Sequence, residues 1–550
     1  MNEIWDLLKD LRKNCNQFNV TSLKTKSDLI SKLRNIEHFN VEALTFYHDC
    51  LLFLKAYPHN ASLLKMANDE IERIAVLALK ISFGKNDKQV LQLNGSGIEN
   101  SYIIATFSFD LCKWLAEKFK GKVQFFSCDS DYEVQLSVMK HLLPPVLWYD
   151  LDKEFTTIEK WIDKSKADAE ITQLEWLLKL FESAVDDILM RDQLFDSLKI
   201  FIQLNVESPV LSRTFNTGLT KKIFFHKSEL LRKVDAGTII NKGITKPPVI
   251  SESEKVRLVE SSRFSLMMLF RETDPVSYAN VTETEWHRMD RGIDIALFYM
   301  MPERRNALDS YVGYMAYKNN LPIAYGGGWM FKLHGRIGIN VFAPYRGGES
   351  AFVFCQIMRL YAQRFGVKLF EAEPYQIGHN NDEGIQSGAF WFYYRLGYRP
   401  QQKELYELAE TEWHKISSDR TYKSKTVVLK KLAHSFMILN TDDNTFIPDV
   451  NLISKRAGQW VERNFSGNYK SANDFVWNYS KKFFSGKALH KLSPHQKKVL
   501  INFMICIAID KNRKWSIKDK EELWKLILNK ASGPENNYII SLTRLAKLFE

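Results

Sequence analysis

The fold predicted from this sequence rests on residues 337–351, which read Ile337-Gly338-Ile339-Asn340-Val341-Phe342-Ala343-Pro344-Tyr345-Arg346-Gly347-Gly348-Glu349-Ser350-Ala351. The alternation at the start of this stretch is typical of a strand with two unlike faces. A glycine-containing loop follows, and then a helix from Ala351 to Phe365 that stops at Gly366. Backbone N–H groups and the positive end of the helix dipole converge in such a loop, and small residues let a ligand approach the backbone. The stretch therefore predicts a phosphate or pyrophosphate site.

A second motif follows an apolar strand predicted from Lys368 to Ala372. It reads Ser387-Gly388-Ala389-Phe390-Trp391-Phe392-Tyr393-Tyr394-Arg395-Leu396-Gly397-Tyr398, and we expect a helix that ends before Pro400. With both motifs in this order, residues Ser251 to Leu432 resemble the catalytic core of the GNAT superfamily of N-acyltransferases. The matching positions are Arg346 and Ala351 in the loop, and Ala389, Phe392, Tyr393, Gly397 and Tyr398 in the helix. The middle segment as a whole looks like part of a large uncharacterised bacterial protein family.

The resemblance implies a thioester donor, acyl-CoA or acetyl-CoA, as co-substrate. In the family, the loop amides hold the pyrophosphate of coenzyme A and the strand before the loop pairs with the pantetheine arm. Tyrosine in the second helix often protonates the leaving thiolate, and here this residue is Tyr393. The implied donor-binding residues are Asn340, Phe342, Arg346, Gly347, Gly348, Ser350 and Ala351.

The usual chemistry of the family also needs a base for the attacking amine. Glu373, directly after the predicted strand, and His379, in the polar loop that follows, are the nearest candidates. Each has a structural alternative, an ion pair for Glu373 and a polar turn for His379. Tyr393 has one as well, because it belongs to the aromatic run from Phe390 to Tyr394 and is equally suited to a core.

One residue departs from the family's loop. Glu349 stands where the family has glycine, and a carboxylate beside a pyrophosphate is repulsive unless it points away or pairs with Arg346. The donor therefore stays open between coenzyme A and an acyl carrier protein.

The predicted fold class is α+β, a GNAT-like mixed, mainly antiparallel sheet with flanking helices. Strands are expected at Ile293 to Met300, Tyr311 to Tyr317, Pro322 to Met330, Ile337 to Phe342 and Lys423 to Leu429, with a helix at Leu405 to Ile416. Asn319-Asn320 is typical of a tight hairpin turn. Capping boxes are expected at Ser251 with Glu254, and at Thr282 with Glu285 ahead of a short helix.

Domain boundaries follow from changes in pattern along the chain. Residues 1–240 are predicted to form a mostly helical domain, and 241–250 a linker that Pro247 and Pro248 stiffen. The GNAT-like domain would occupy 251–432, and a basic helical domain 433–550.

Composition narrows the setting of the protein. The chain begins with mixed acidic and apolar residues, which is unlike a secretory signal, and no apolar run is long enough to span a bilayer. The 6 cysteines are scattered, which argues against disulfides and against a metal site and favours a cytoplasmic location.

The net charge is +11, and from Phe436 onward 19 Lys and Arg face 11 Asp and Glu. Such an excess favours acidic partners, here an acyl carrier protein or nucleic acid, and otherwise only improves solubility. Arg304-Arg305 would suit an anionic substrate. The leading hypothesis is transfer of an acyl group to an unidentified amine. The alternatives are a non-catalytic GNAT-fold scaffold for an acidic partner or RNA, and aminoacyl transfer from charged tRNA.

Overall fold

Helices surround two β-sheets in the computed structural model, which describes residues 2–82, 87–149, 151, 157–167, 169–206, 211–419, 421–442, 450–510 and 513–545. The strands are β1 (Tyr102–Thr106), β2 (Gln124–Cys128), β3 (Ile200–Asn205), β4 (Glu285–Arg288), β5 (Ile293–Phe298), β6 (Ser310–Lys318), β7 (Leu321–Phe331), β8 (His334–Ile337), β9 (Asn340–Val341), β10 (Leu369–Ala372), β11 (Arg399–Pro400) and β12 (Met437–Asn440). The predicted mixed α+β class is confirmed.

The helices before the large sheet are α1 (Asn2–Cys15), α2 (Val20–Arg34), α3 (Val41–Ala56), α4 (Ala61–Ser82), α5 (Asp87–Gln92), α6 (Phe109–Lys118), α7 (Tyr132–Leu142), α8 (Ile158–Lys166), α9 (Gln173–Ala184), α10 (Ile188–Leu198), α11 (Ala236–Ile240), α12 (Glu252–Met267) and α13 (Asp274–Ser277). Those after β9 are α14 (Ser350–Phe365), α15 (Pro374–Ile377), α16 (Asp382–Ser387), α17 (Ala389–Arg395), α18 (Lys403–Ser418), α19 (Thr426–Leu432), α20 (Val450–Phe465), α21 (Tyr469–Phe483), α22 (Pro494–Ile509), α23 (Ile517–Ala531) and α24 (Glu535–Arg544).

A small antiparallel sheet in the order β1-β3-β2 lies within the segment that the sequence predicts as mostly helical. Ile200, Ile202 and Leu204 of β3 are buried and alternate with partly exposed residues, as expected for a strand with one buried face. The helices α6 to α10 supply apolar residues to the core under this sheet. This region therefore has its own core.

The large sheet has the order β11-β12-β10-β8-β7-β6-β5-β4, with β9 paired to β7. The predicted hairpin is confirmed, because Asn319 and Asn320 both adopt positive φ between β6 and β7. The predicted strand at Ile337 to Phe342 is corrected in two ways. Its pairing starts earlier, at His334, and residues 338–339 separate it into β8 and β9.

Two predictions at the edges of this sheet are wrong. Glu285 does not cap a helix but begins β4, where its carboxylate accepts hydrogen bonds from Arg364 and Tyr299. Residues 426–432 form α19 rather than a strand, because Leu429 and Leu432 are buried at helical spacing. The last strand is instead β12, which lies beyond residue 432 and pairs with β10 and β11.

Helix α14 packs against the central strands of the large sheet. The ring of Tyr361 on α14 lies over Gly328 of β7, where an added Cβ would come within 2.5 Å of it. The predicted helix over Ala351 to Phe365 is confirmed, and so is its end at Gly366, which adopts positive φ. One continuous apolar core joins α1 to α4, the large sheet and α20 to α24.

Candidate functional site

The centre of the candidate site is the point where the pairing of β8 with β10 ends and β9 continues beside β7. The pair β8 and β10 is parallel, joining His334 to Leu369 and Arg336 to Glu371. Beyond it, β9 pairs antiparallel with β7, and Tyr325 faces Asn340. The chain thus keeps β7 as its neighbour and loses β10 just before the glycine loop.

Of the two residues predicted to pair with pantetheine, Asn340 is exposed and Phe342 is buried. The N–H of Phe342 donates to Ile323 over 3.0 Å, and its carbonyl accepts from Tyr345 over 3.0 Å. A ligand pairing with the Phe342 backbone would have to displace these bonds. Asn340 is therefore the better placed of the two.

The loop between β9 and α14 is held from behind by the N-terminal helices. Arg12 of α1 donates to the carbonyl oxygens of Pro344, over 2.9 Å, and Arg346, over 3.2 Å. An added Cβ at Gly348 would come within 2.6 Å of the hydroxyl of Tyr57. Packing against Tyr57 therefore requires glycine at 348. The sequence alone suggests a different reason, the approach of a ligand to the backbone.

The outer side of the same loop offers backbone donors. Gly347 is exposed and has φ +86°, and Ser350 and Ala351 are partly exposed in the first turn of α14. The first N–H groups of a helix have no partner within the helix. No side chain caps this helix start in the described structure. These amides and the helix dipole are together suited to an anion.

Glu349 points into the protein, away from the outer side of the loop. Its carboxylate is fully buried and accepts hydrogen bonds from Arg291 at 2.6 Å, Lys318 at 3.0 Å and the Leu231 N–H at 3.0 Å. Burial alone would raise the pKa of Glu349, but Lys318, Arg291 and Leu231 bring that pKa below its ordinary value. Glu349 therefore does not repel a phosphate bound on the outer side of the loop. It pairs with Lys318 and Arg291 rather than with Arg346, the partner that the sequence suggests.

Arg346, the predicted anion-binding side chain, is more than half exposed at the surface of the loop. It forms an ion pair of 2.7 Å with Glu383 of α16, which is also largely exposed. An exposed ion pair of this kind contributes little to stability, so an anionic ligand can replace Glu383 at small cost.

Tyr393 of α17 reaches the separation between β8 and β9. Its hydroxyl accepts a hydrogen bond from the Ile339 N–H, and burial raises the pKa of Tyr393 despite this bond. The ring packs edge-on against Phe354 and Tyr398. Tyr393 is therefore a core aromatic residue whose protonated hydroxyl lies beside the residues that join β8 to β9.

The two candidate bases, Glu373 and His379, have different neighbours. Glu373 forms an ion pair of 2.8 Å with Arg336 of β8, and each side chain is 32% exposed. Gln376, in the short helix that Glu373 starts, lies against Gly338, where an added Cβ would be 2.1 Å from its Nε2. His379 instead packs against His434, with 4.5 Å between the rings. Glu373 is thus the candidate next to the separated strands.

Sequence reasoning misses several side chains around this site. Tyr311 and Trp329 stack at 3.9 Å on the sheet face beside the β8–β9 strand, and Tyr325 stacks on Phe342. Arg336 is also missed, as are Arg12 and Tyr57 behind the loop. No local pattern marks these residues, because each acquires its position from a partner distant in the chain.

The other anion-binding suggestions have internal explanations. Arg304 is paired with Asp110 and Asp192, and Arg305 with Glu283 and Glu535, and both arginines are almost fully buried. In α21, Val476 and Phe483 are core residues, while Tyr469 and Phe475 remain exposed. The part of the chain that the structure describes has no cluster of three or more metal-ligating side chains. Nor does any helix within it have the length and apolar character needed to cross a membrane.

In comparisons with known proteins, no family model, curated protein or solved structure matches this chain.

Proposed function

We propose that this protein is a GNAT-like N-acyltransferase, which moves an acyl group from a thioester donor to an amine. The observation that carries the proposal is that β8 pairs with the parallel strand β10 whereas β9 pairs with β7 alone among the described strands, and that the glycine loop and α14 follow at once. The edge of β9 beyond the end of the β8–β10 pairing would take an extended donor arm, and the loop amides and helix dipole suit its phosphates.

The donor's phosphates would lie on the outer side of the loop, at the amides of Gly347, Ser350 and Ala351. Arg346 would turn from Glu383 to the ligand. Arg12, whose guanidinium already lies at the loop, adds positive charge from the inner side. The burial of Glu349 supports this placement, because its charge is compensated within the protein.

Two side chains would serve the transfer step. The amine nitrogen attacks the thioester carbonyl carbon, the C–S bond breaks, and an amide forms. Glu373 would accept the proton that the nitrogen loses. Tyr393, whose hydroxyl is protonated at neutral pH, would give a proton to the departing thiolate.

Calorimetric titration with acetyl-CoA and with decanoyl-CoA tests the proposal. We expect saturable binding that Arg346→Glu weakens at least tenfold, about 1.4 kcal/mol. Arg456→Glu is the matched control, because Arg456 is exposed on α20 and away from the loop. Absence of binding to either thioester would reject coenzyme A as donor. A titration with acylated carrier protein would then decide whether any thioester binds at Arg346.

A further inference from the structure

A cleft lies on the far side of α17 from Tyr393. It has a volume of about 510 Å³ and is bounded by the helices α16 and α17 on one side and by α18 and α19 on the other. Trp391 and Arg395 of α17 line it. Tyr393 is two residues from Trp391, roughly 200° around the helix, and so faces the opposite way. The cleft is therefore separated from Tyr393 by the thickness of a helix.

The charged groups at this cleft are predominantly positive. Arg395 and Lys423 both line it and are exposed, and neither forms an ion pair with a residue that the structure describes. The acidic residue Asp382 also lines it, but Lys430 lies 3.5 Å from its carboxylate. Two cations are thus left without a counter-charge at the edge of one cavity.

One part of the cleft wall is apolar and aromatic, and the rest is polar. Ile385, Ile416 and Leu429 form its aliphatic wall, with the rings of Trp391 and Tyr422 beside them. Trp391 is buried, and its indole N–H has no hydrogen-bond partner among the described residues. The apolar part of the cleft is therefore suited to an aromatic or aliphatic ligand body.

We infer that this cleft binds a small amphipathic anion, an apolar or aromatic body that carries one carboxylate or phosphate group. Arg395 and Lys423 hold the anionic group, and the body lies against Trp391 and the aliphatic wall. A cavity of this size whose lining combines apolar side chains with converging polar groups is suited to a small molecule. The site is independent of the thioester donor, since its residues lie on the opposite face of α17.

Isothermal titration with 2-naphthoate, 2-naphthyl phosphate and the neutral 2-naphthamide tests this inference on the full chain. We expect one-to-one binding of at least one of the two anions and at least tenfold weaker binding of the amide. The preferred anion identifies the anionic group as carboxylate or phosphate. Raising the salt concentration should weaken binding of the anion, because the cations are exposed.

Variants locate the ligand. Arg395→Glu and Lys423→Glu should each weaken binding of the preferred anion about tenfold, equivalent to about 1.4 kcal/mol. Lys403→Glu is the control, because Lys403 is exposed on α18 and does not line the cleft. All three positions are on the surface, so folding should be retained. Equal affinity for the anions and the amide, or unchanged affinity in both cleft variants, would overturn the inference.

Discussion

Replacement of Glu349 by Gln should destabilise the protein strongly, although the change removes only a charge. The carboxylate is fully buried and compensates Lys318, which is also fully buried, over 3.0 Å. Breaking a buried ion pair by removing one partner typically costs 3–5 kcal/mol, and we expect a loss of about this size at pH 7. Urea unfolding followed by circular dichroism measures it.

The pH dependence identifies the cause. Burial lowers the pKa of Lys318 to about 8, although Glu349 opposes this effect. Because the unfolded lysine holds its proton to higher pH, this group makes stability rise as pH increases from about 8 towards 10.5. Without Glu349 the folded pKa of Lys318 falls further, so the gap between Glu349→Gln and the wild type should narrow at high pH.

Two variants complete this test. Adding Lys318→Met to Glu349→Gln should recover much of the lost stability, since the fully buried Lys318 charge is then gone and only the partly exposed Arg291 lacks its partner. Glu383→Gln, which removes the exposed carboxylate on the other side of the loop, should cost less than about 1 kcal/mol. If Glu349→Gln costs no more than Glu383→Gln, the assigned role of Glu349 is refuted.

Three further changes have defined outcomes. Tyr393→Phe should lower the rate of acyl transfer, measured by thiol release, about a hundredfold while leaving the Kd for the donor unchanged; an equal loss of binding would assign Tyr393 to donor binding instead. Gly348→Ala should lower the midpoint of urea unfolding, because its Cβ would meet the Tyr57 hydroxyl at 2.6 Å, and adding Tyr57→Phe should restore part of the loss. Burial raises the pKa of Asp294 to about 6, so the folded state loses stability as pH rises from about 4 to 6. Asp294→Asn should therefore be more stable than wild type at pH 8, by about 2–3 kcal/mol, and similar near pH 3; a constant difference between these pH values would contradict the burial of a charged carboxylate.

Features that depend on neighbouring residues could be predicted from the sequence. The hairpin at Asn319-Asn320 and the helix end at Gly366 need positive φ, which these residue types tolerate. The approximate extents of the strands β5, β6 and β7 follow from the strand-like residue pattern after Arg291. The glycine loop and α14 could likewise be predicted from neighbouring residues.

Features that depend on distant partners could not be predicted. The sequence shows a carboxylate at 349 but not its burial, because Arg291 comes from the turn before β5 and Lys318 from the end of β6. Arg12 contacts a carbonyl 332 residues away. The sequence predicts a strand at Lys423 to Leu429, yet residues 426–432 form a helix that buries Leu429 and Leu432. Tertiary contacts decide each of these cases.

The measurement that tests the central claim most directly is hydrogen exchange of the loop, residues 343–352, with and without saturating acetyl-CoA. Binding of the donor's phosphates at this loop predicts slower exchange at Gly347, Ser350 and Ala351, and no such protection in Arg346→Glu. Unchanged exchange in this loop, with acetyl-CoA bound elsewhere or not at all, would contradict the assignment of the loop as the donor site.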